Sequence, residues 1–207
     1  IFEKRFKISN IKVATPQYVE EITTEKYNFD TYKVHFFYPS FPRSFKNHEI
    51  ILESIKLLPK EIFEKSEFHF TTIKDSKEKY ARFLVKEYSF LDNVNFYGKV
   101  KRKQLLSMYN EMDCLLFPSK VETWGLPISE AKAYKKPMFL ANLPYAKEAC
   151  GNYEKVSFFD ENNASELAKL ITEFVEENHT FQRNTITFDT SNDLHNWKEL
   201  FDYILKD

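Results

Sequence analysis

The sequence predicts one α/β domain, in which a doubly wound parallel sheet of about six strands carries helices on both faces. Apolar runs of strand length alternate along the chain with amphipathic segments of helix length, which is typical of right-handed βαβ units. The run Val34-His-Phe-Phe-Tyr38 is largely apolar without alternation, which indicates a strand buried on both faces. A chain of 207 residues is long enough to bury one substantial core.

Six strand candidates follow one another in the middle of the chain. They cover residues 34–38, 68–72, 94–97, 113–117, 138–141 and 156–159. Pro39, Gly98 and Pro118 directly follow three of them, where strands are expected to end. A shorter candidate at 11–14 lies in an irregular, polar N-terminal segment.

The segments between the strands predict helices. Asn47 is a favourable N-cap for the first helix, and Pro59 is expected to stop it. Asn163 and Glu166 resemble a capping box that opens a later helix. The other helices are predicted near 80–88, 104–111, 127–135 and 194–204. The residues expected to face the core are Ile50, Ile51, Ile55, Leu58, Tyr80, Phe83, Leu84, Tyr88, Leu167, Leu170, Ile171 and Phe174.

Composition and charge exclude several classes of protein. A hydrophobic content of 43% with 29% charged residues is typical of a globular chain. The formal net charge of −1 provides no overall basic field for nucleic acid. The apolar runs are too short for a membrane-spanning helix, and the first residues contain no signal sequence. We therefore expect a cytoplasmic protein. The chain does not begin with methionine, so we also expect it to be cut from a longer one.

Glycine and cysteine restrict the kinds of site. The chain has 3 glycines, Gly98, Gly125 and Gly151, where average usage predicts about fourteen. This excludes the glycine-rich dinucleotide fingerprint and the P-loop, so a bound phosphate is expected at helix N-termini and basic side chains. Cys114 and Cys150 form no C-x-x-C motif and indicate a reducing compartment without a zinc site. The five histidines show no metal or triad spacing and are interpreted as structural.

Three loops are predicted to form a binding edge. Ligands of such sheets bind at the carboxyl ends of the strands, beside helix N-termini, which selects loops 39–47, 98–103 and 118–129. In the first loop Arg43 and Lys46 directly precede a helix start, where free backbone N–H groups favour an anion. The alternative interpretation is a solvated basic loop.

The third loop contains two carboxylates around a glycine. Gly125 permits unusual backbone dihedrals and the close approach of a ligand, and Pro127 is expected at the start of a helix. Glu122 is predicted in the loop and Glu130 in the first turn of that helix. The two carboxylates would flank the helix N-terminus from two sides. Alternatively, Glu130 only interacts with the helix dipole and Glu122 is a surface charge.

These motifs, in this order, resemble a known family. The E-x7-E spacing from Glu122 to Glu130, with an aromatic-Gly-Leu-Pro core after Phe-Pro-Ser, is similar to the retaining GT-B glycosyltransferases called family four. Further similar elements are Lys46-Asn47, the strand-Gly-helix segment from Val94 to Tyr109, Leu143-Pro-x-x-x-Glu148 and Trp197. The resemblance covers residues 28–177 and implies the Rossmann-like C-terminal half of a GT-B fold, which binds the donor.

The resemblance also implies how the chain is organised. Residues 1–27 would be a linker remnant from a missing N-terminal domain, 28–180 the donor-binding domain, and 181–207 a tail with an amphipathic helix. The chain departs from the family after the first strand, where 39–42 replace a usual Gly-Arg pair. Arg43 is the arginine nearest that place.

The resemblance implies transfer of a sugar, with retention of configuration, from a nucleoside diphosphate sugar to an acceptor. It implies a role in surface polysaccharide or glycoconjugate biosynthesis, and neither a cofactor nor a metal. Lys46 and Arg43 would neutralise the diphosphate, Glu122 would hold the sugar hydroxyls, and Glu130 the ribose. The other residues predicted to bind substrate are Thr123, Trp124, Gly125, Leu126 and Ser129 at the helix start and Gly98, Lys99 and Val100 near the base.

Two other functions stay open. One is a nucleotide-sugar epimerase of the same two-half architecture. The other is a non-catalytic nucleotide-sugar binding module, which the unusual loop 39–43 and the scarcity of glycine favour. The expected partners are a nucleoside diphosphate sugar and the missing acceptor-binding half, through which a peripheral membrane association is expected, with no nucleic acid. The 207 residues alone are expected to bind nucleoside diphosphates without transferring a sugar.

Overall fold

One sheet of six parallel strands organises the computed structural model. The strands are β1 (Val34–Tyr38), β2 (Ser66–Phe70), β3 (Val94–Phe96), β4 (Cys114–Phe117), β5 (Met138–Ala141) and β6 (Val156–Phe159). Their order across the sheet is β3-β2-β1-β4-β5-β6. The direction of winding reverses between β1 and β4, so the loops that follow these two strands border the switch point of the sheet. The predicted doubly wound parallel sheet is confirmed.

The structure describes most of the chain. The described residues are 22–71, 73–74, 76–182, 184, 194 and 197–205. Residues 21–186 form one compact unit, and residues 1–20 with 187–207 form a second. The strand candidate at 11–14 lies outside the described residues. The predicted domain boundaries after residues 27 and 180 stay predictions.

Helices cover both faces of the sheet. They are α1 (His48–Lys56), α2 (Lys60–Glu64), α3 (Lys79–Tyr88), α4 (Arg102–Glu111), α5 (Leu126–Ala133), α6 (Pro144–Cys150) and α7 (Ala164–Val175). On one face of β1, Phe36 meets Phe174 of α7, with ring centroids 5.9 Å apart. On the other face, Phe37 meets Tyr109 of α4 at 5.2 Å. Since adjacent residues of a strand point to opposite faces, β1 is buried on both.

Aromatic side chains fill much of the core. Phe36, Phe37 and Phe68 are each at most 1% exposed. Burying a phenylalanine side chain contributes about 1.5–3 kcal/mol to the stability of the fold. The rings of Phe36 and Phe68 stack across β1 and β2 with centroids 5.1 Å apart, in agreement with the register that pairs these two residues. The aromatic runs of the sequence therefore specify both the strands and their packing.

The start and the end of α1 differ from the prediction. Asn47 stands at the N-cap position, but its backbone is left-handed, with φ 57° and ψ 43°, and its side chain caps no helical N–H. Its side-chain amide donates instead to the carbonyls of Pro118, at 3.3 Å, and Glu161, at 2.8 Å. The helix ends at Lys56, so Leu58 lies beyond it, and the short helix α2 after Pro59 was not predicted.

Three further details of the helices and strands differ from the prediction. Asn163 Oδ1 accepts from the Glu166 backbone N–H at 3.1 Å, as in a capping box, but the Glu166 carboxylate accepts from Asp160 rather than from Asn163. Strand β2 begins at Ser66, two residues before the predicted start. Phe83 was expected to face the core and is 45% exposed, because it lies on the outer side of α3.

The second unit contributes one described helix, α8 (Trp197–Ile204). Leu194 lies before its first residue, so the predicted start was too early. Trp197, Phe201 and Ile204 are between 51% and 60% exposed. Across the described parts of both units, every helix is too short or too polar to cross a lipid bilayer.

Candidate functional site

Two of the three predicted loops meet at the switch point. The backbone N–H of Lys120, after β4, donates to the carbonyl of Phe45, after β1, at 2.8 Å. The Asn47 side chain donates to the carbonyl of Pro118 across the same boundary. These contacts fix the loops 39–47 and 118–125 against each other at the carboxyl edge of the sheet, where a ligand of this fold class binds.

Lys46 and Glu122 form an ion pair between these loops. Lys46 Nζ lies 2.5 Å from Glu122 Oε1, and the two side chains are 18% and 11% exposed. The backbone carbonyl of Lys46 accepts a hydrogen bond from the Tyr38 hydroxyl at 2.7 Å. Burial raises the pKa of Tyr38, so its hydroxyl remains a donor. The hydrogen bond from Tyr38 therefore anchors the Lys46 backbone to the core at the end of β1. The Lys46 ammonium is neutralised by Glu122, the carboxylate predicted to hold the sugar.

Arg43 faces another neighbour. Its guanidinium lies 2.6 Å from Glu78 Oε1, directly before α3, and both side chains are about half exposed. Lys46 contacts the loop after β4, whereas Arg43 contacts the segment that follows β2. The assignment of both cations to one diphosphate stays a prediction.

Gly125 begins α5 in the left-handed region, with φ 62° and ψ 46°. This agrees with the expectation that the glycine provides unusual backbone dihedrals. Pro127 lies in the first turn, as predicted, but Glu130 does not, since the helix begins at Leu126. Glu130 is the fifth residue of α5, so it lies beyond the four unpaired N–H groups that carry most of the positive end of the dipole.

Glu130 is paired with Arg102, the first residue of α4. Glu130 is 7% exposed, and the Arg102 side chain is 45% exposed. This pair connects the third predicted loop region with the second, 98–103. The two carboxylates thus lie before and after Gly125 in the chain and have different cations as partners, Lys46 for Glu122 and Arg102 for Glu130. Arg102 was absent from the predicted binding residues, although it lies inside a loop that the strand-end rule selected.

The other predicted binding residues lie at the surface of the same edge. Trp124 and Leu126 are 38% and 49% exposed. Thr123 and Lys99 are exposed, and Ser129, Gly98 and Val100 are partly buried. Further apolar side chains, Phe41, Phe45 and Val121, are between 44% and 66% exposed. Large exposed apolar groups thus belong to the same loops as the partly buried ion pair of Lys46 and Glu122.

His48 lies directly behind the first loop and is neutral. It is 0% exposed, and burial, reinforced by the charge of Lys46, lowers its pKa to about 3. Its ring lies among those of Tyr38, Phe70 and Tyr80. Neither ring nitrogen has a hydrogen-bond partner. His48 is therefore a packing residue beneath the site, in agreement with its interpretation as structural.

Gly125→Ala is expected to destabilise the protein by about 1–2 kcal/mol, because a non-glycine residue is strained at positive φ. An added Cβ would also lie 3.1 Å from Ile128 Cδ1. Thermal melting should show the melting temperature of Gly125→Ala fall by several degrees. Gly98→Ala is the matched control, because Gly98 does not have a positive φ. Equal melting of the two variants would contradict the strain argument.

A relative from Klebsiella pneumoniae is described as an uncharacterized 41.2 kDa protein in the cps region. It is 30% identical over 125 residues, which cover 59% of this chain and 32% of the relative. The matched segment thus amounts to about a third of that protein.

Solved structures share the fold. HepE of Anabaena, in complex with UDP-glucose, matches with a TM-score of 0.60 and 17% identity, over 70% of this chain and 40% of HepE. The pneumococcal O-GlcNAc transferase GtfA, in complex with UDP and GlcNAc, matches with a TM-score of 0.56 and 16% identity, over 72% of this chain and 30% of GtfA. At these identities the likeness shows a common fold.

The family match is more extensive than these pairwise similarities. The family of glycosyl transferases group 1 matches residues 19–188, which include the whole sheet and both carboxylates of the site. The doubly wound parallel sheet and the glycine at the start of α5 agree with the resemblance noted in the sequence. The chain belongs to the glycosyl transferases group 1 family.

Proposed function

We propose that this chain is the donor-binding half of a retaining glycosyltransferase that takes a sugar from a nucleoside diphosphate sugar. The observation that carries the proposal is the pair of carboxylate–cation contacts on the two sides of the Gly125 turn, Lys46 with Glu122 and Arg102 with Glu130. The family supports the same reaction class. The complexes of HepE with UDP-glucose and of GtfA with UDP and GlcNAc support a nucleotide-sugar ligand for this fold.

The ion pair suggests how the donor is held. A diphosphate at the switch point offers oxygens to Lys46 and takes the place of Glu122 as the partner of the ammonium. Glu122, released from Lys46, then accepts hydrogen bonds from hydroxyls of the sugar. Charge-assisted bonds of this kind are stronger than neutral ones, and the partial burial of both side chains increases their strength. As the glycosidic bond to the phosphate breaks, the ammonium stabilises the negative charge on the leaving diphosphate.

Glu130 and Arg102 belong to the nucleoside end of the site. A carboxylate can accept hydrogen bonds from both ribose hydroxyls, and Arg102 holds the Glu130 side chain at the start of α4. The segment 98–100 lies just before α4 and is proposed to contact the base. Arg43 is a second candidate for the diphosphate, from the side of α3.

The acceptor is proposed to bind to another half of the protein. The chain matches 40% of HepE and 30% of GtfA in length, which leaves room for a second lobe in proteins of this kind. The exposed Phe41, Val121 and Trp124 around the ion pair fit a surface that another lobe or the donor covers. A role in polysaccharide biosynthesis in the cytoplasm, with peripheral membrane contact through the other half, is part of the proposal. The Klebsiella pneumoniae relative in the cps region supports it.

The first test is binding to the 207-residue chain. Calorimetry with UDP, GDP and ADP, each compared with its nucleoside, is expected to show one preferred diphosphate and little affinity for the nucleosides. Equal affinity for a diphosphate and its nucleoside would contradict the anion site. Acceptor-dependent transfer by the 207 residues alone would contradict the two-half assignment. Donor hydrolysis or transfer by the longer protein separates an enzyme from a binding module.

Glu130→Gln is expected to weaken binding of the preferred nucleoside diphosphate several-fold, because a hydrogen bond to a charged group contributes about 1.5–3 kcal/mol and the amide retains part of it. Arg102 is half exposed, so its charge stays solvated and the variant should melt within a few degrees of the parent. Glu64→Gln, at an exposed carboxylate on α2, is the matched control and should leave the affinity unchanged. Unchanged calorimetric affinity in Glu130→Gln would remove Glu130 from the nucleotide site.

A further inference from the structure

A second cluster of polar side chains lies on the sheet itself, away from the switch point. His35 belongs to β1 and is paired in register with Glu67 of β2, and His69 lies two residues further along β2. Residues two apart on a strand share a face, so all three side chains project from the same face of the sheet. His35 and His69 are 3% and 1% exposed, and the Glu67 side chain is 22% exposed.

Three ligand atoms of this cluster form a small triangle. His35 Nδ1 lies 3.0 Å from His69 Nε2. Glu67 Oε2 lies 3.6 Å from His35 Nδ1 and 3.8 Å from His69 Nε2. A tetrahedral zinc ion with bonds of about 2.0–2.1 Å holds its ligand atoms about 3.3 Å apart. The triangle is therefore close to one face of a zinc coordination tetrahedron without any movement of the backbone.

The outer atoms of the same side chains are already engaged. His35 Nε2 contacts the carbonyl of Asp30 at 2.7 Å, and His69 Nδ1 contacts the Tyr97 hydroxyl at 3.1 Å. Lys33 Nζ holds the other carboxylate oxygen of Glu67 at 3.3 Å. Metal-binding histidines are oriented in this way by a partner on the second ring nitrogen. The outer contacts leave one atom of each ligand on the inner side, and these three atoms lie within 3.8 Å of one another.

The cluster is also shielded from water on its histidine side. The Phe29 ring stacks on both imidazoles, with centroids 4.5 Å from His35 and 4.2 Å from His69. Burial, with a smaller effect of His35, lowers the pKa of His69 to about 3, so this ring is neutral and able to coordinate at physiological pH. The partial exposure of Glu67 leaves a path by which an ion and a water molecule can enter.

We propose that His35, Glu67 and His69 form a binding site for a divalent transition-metal ion of the zinc class, with water as the fourth ligand. Two imidazoles and one carboxylate suit zinc, cobalt or nickel, whereas magnesium and calcium prefer oxygen ligands. The ion joins β1 to β2 on the side of the sheet that carries Phe37, so it acts on the stability of the sheet independently of nucleotide binding.

The protons of the cluster can be accounted for. In the tautomer of His35 that carries its one proton on Nε2 and donates it to the Asp30 carbonyl, Nδ1 presents a lone pair, which in the absence of an ion accepts from His69 Nε2–H. When the ion binds, the His69 proton moves to Nδ1 and is donated to the Tyr97 hydroxyl, so both inner nitrogens present lone pairs. Binding therefore changes the tautomer of one histidine and requires no net release of protons from the two rings.

The test uses the 207-residue chain after treatment with a chelator and its removal. Titration with Co²⁺ is expected to produce the visible absorption bands of a four-coordinate site at a ratio of one ion per chain. Zn²⁺ is expected to displace Co²⁺ and to raise the melting temperature by about 5–10 °C at a hundred-fold excess over its dissociation constant. UDP should not compete with either ion.

Two variants and a control locate the ion. Glu67→Gln, at the partly exposed ligand, is expected to weaken Zn²⁺ binding at least ten-fold with the fold intact, and His69→Gln is expected to abolish the cobalt bands. His179→Gln is the control. His179 lies 2.9 Å from Ser157 of β6, at the edge of the sheet farther from β2, so this variant should bind Zn²⁺ as the parent does. The absence of four-coordinate cobalt bands, or undiminished Zn²⁺ affinity in Glu67→Gln, would overturn the proposal. Because Glu67→Gln leaves both buried rings in place, the test does not depend on whether His69→Gln folds.

Discussion

Lys46→Ala is expected to lower the affinity for the preferred nucleoside diphosphate about ten- to hundred-fold, whereas Glu122→Gln is expected to leave it unchanged or to raise it. The reason is the ion pair between them. Lys46 Nζ lies 2.5 Å from Glu122 Oε1 with both side chains largely buried, so the carboxylate and the phosphate compete for one ammonium. A charge-assisted bond to phosphate contributes about 1.5–3 kcal/mol, which gives the expected loss. Calorimetry on both variants measures the two effects.

The comparison is sensitive because the affinity is expected to fall in Lys46→Ala and not to fall in Glu122→Gln. Glu122→Gln keeps the shape of the side chain, removes a negative charge next to the phosphate and frees Lys46. Lys46→Ala leaves Glu122 largely buried without its cation, so this variant is also expected to melt at a lower temperature. Glu64→Gln, which frees the exposed Lys60 on α2 in the same way, is the control and should leave the affinity unchanged.

Several outcomes would contradict parts of this account. If Glu122→Gln weakens binding as much as Lys46→Ala, the carboxylate orients the lysine for the ligand and does not compete with it. If neither variant changes the affinity, the loop after β1 is not the anion site. A loss in Arg43→Ala comparable to that in Lys46→Ala would assign Arg43 to the task of the arginine that the family usually has earlier in this loop. Added salt should reduce every one of these differences, because the interactions are electrostatic.

Acidification from pH 6.5 to pH 5 is expected to destabilise the metal-free protein steeply. Burial lowers the pKa values of His48 and His69 to about 3, whereas both groups titrate near 6.5 in the unfolded chain. Below pH 6.5 the unfolded state takes up protons that the folded state excludes. The free energy of unfolding therefore falls with decreasing pH, by up to about 1.4 kcal/mol per pH unit for each histidine, until the pH approaches 3. Between pH 7 and 8 both histidines are neutral in the folded and in the unfolded state, so they do not make the free energy of unfolding depend on pH.

His48→Phe separates the two histidines. The phenyl ring fits among the rings of Tyr38, Phe70 and Tyr80, and it replaces two buried nitrogens that have no hydrogen-bond partner. Urea unfolding in the presence of a chelator should show about half of the parent's pH dependence in this variant and at least the parent's stability at pH 7. A His48→Phe variant with the full pH dependence of the parent would show that His48 is not the group responsible.

Much of the fold was predictable from local patterns. The strands around Phe36, Phe68 and Leu115 are buried on both faces, so they read as apolar runs, and the intervening helices show 3.6-residue periodicity. Helix ends were less predictable. Asn47 was expected to cap α1 with its side chain, but that side chain donates hydrogen bonds to the carbonyls of Pro118 and Glu161 instead. Such partners are distant in sequence, and no local pattern indicates them.

The candidate site was likewise predictable from the sequence only in part. The rule that ligands bind at strand ends selected the loops that contain Lys46, Glu122 and Arg102 before any side-chain contact was known. Which cation meets which carboxylate was not predictable, since Lys46 and Glu122 are 76 residues apart and Arg102 and Glu130 are 28 apart. The histidines were interpreted as structural because no short spacing joins them. Pairing of β1 with β2 brings His35 and His69, 34 residues apart, within hydrogen-bond distance.

By itself the sequence determined the parallel sheet, its approximate number of strands, the loops at its carboxyl edge and the family to which it is similar. These features depend on hydrophobic period, turn residues and motif order, all of which are properties of short segments. The tertiary structure alone decided the partners of the buried charged and polar groups. Strand order places β1 between β2 and β4, so β2 and β4 supply the partners that are available to the buried charged and polar groups of β1 and of the loop after it. That is why Lys46, in the loop after β1, meets Glu122, in the loop after β4, and why His35 of β1 meets Glu67 and His69 of β2.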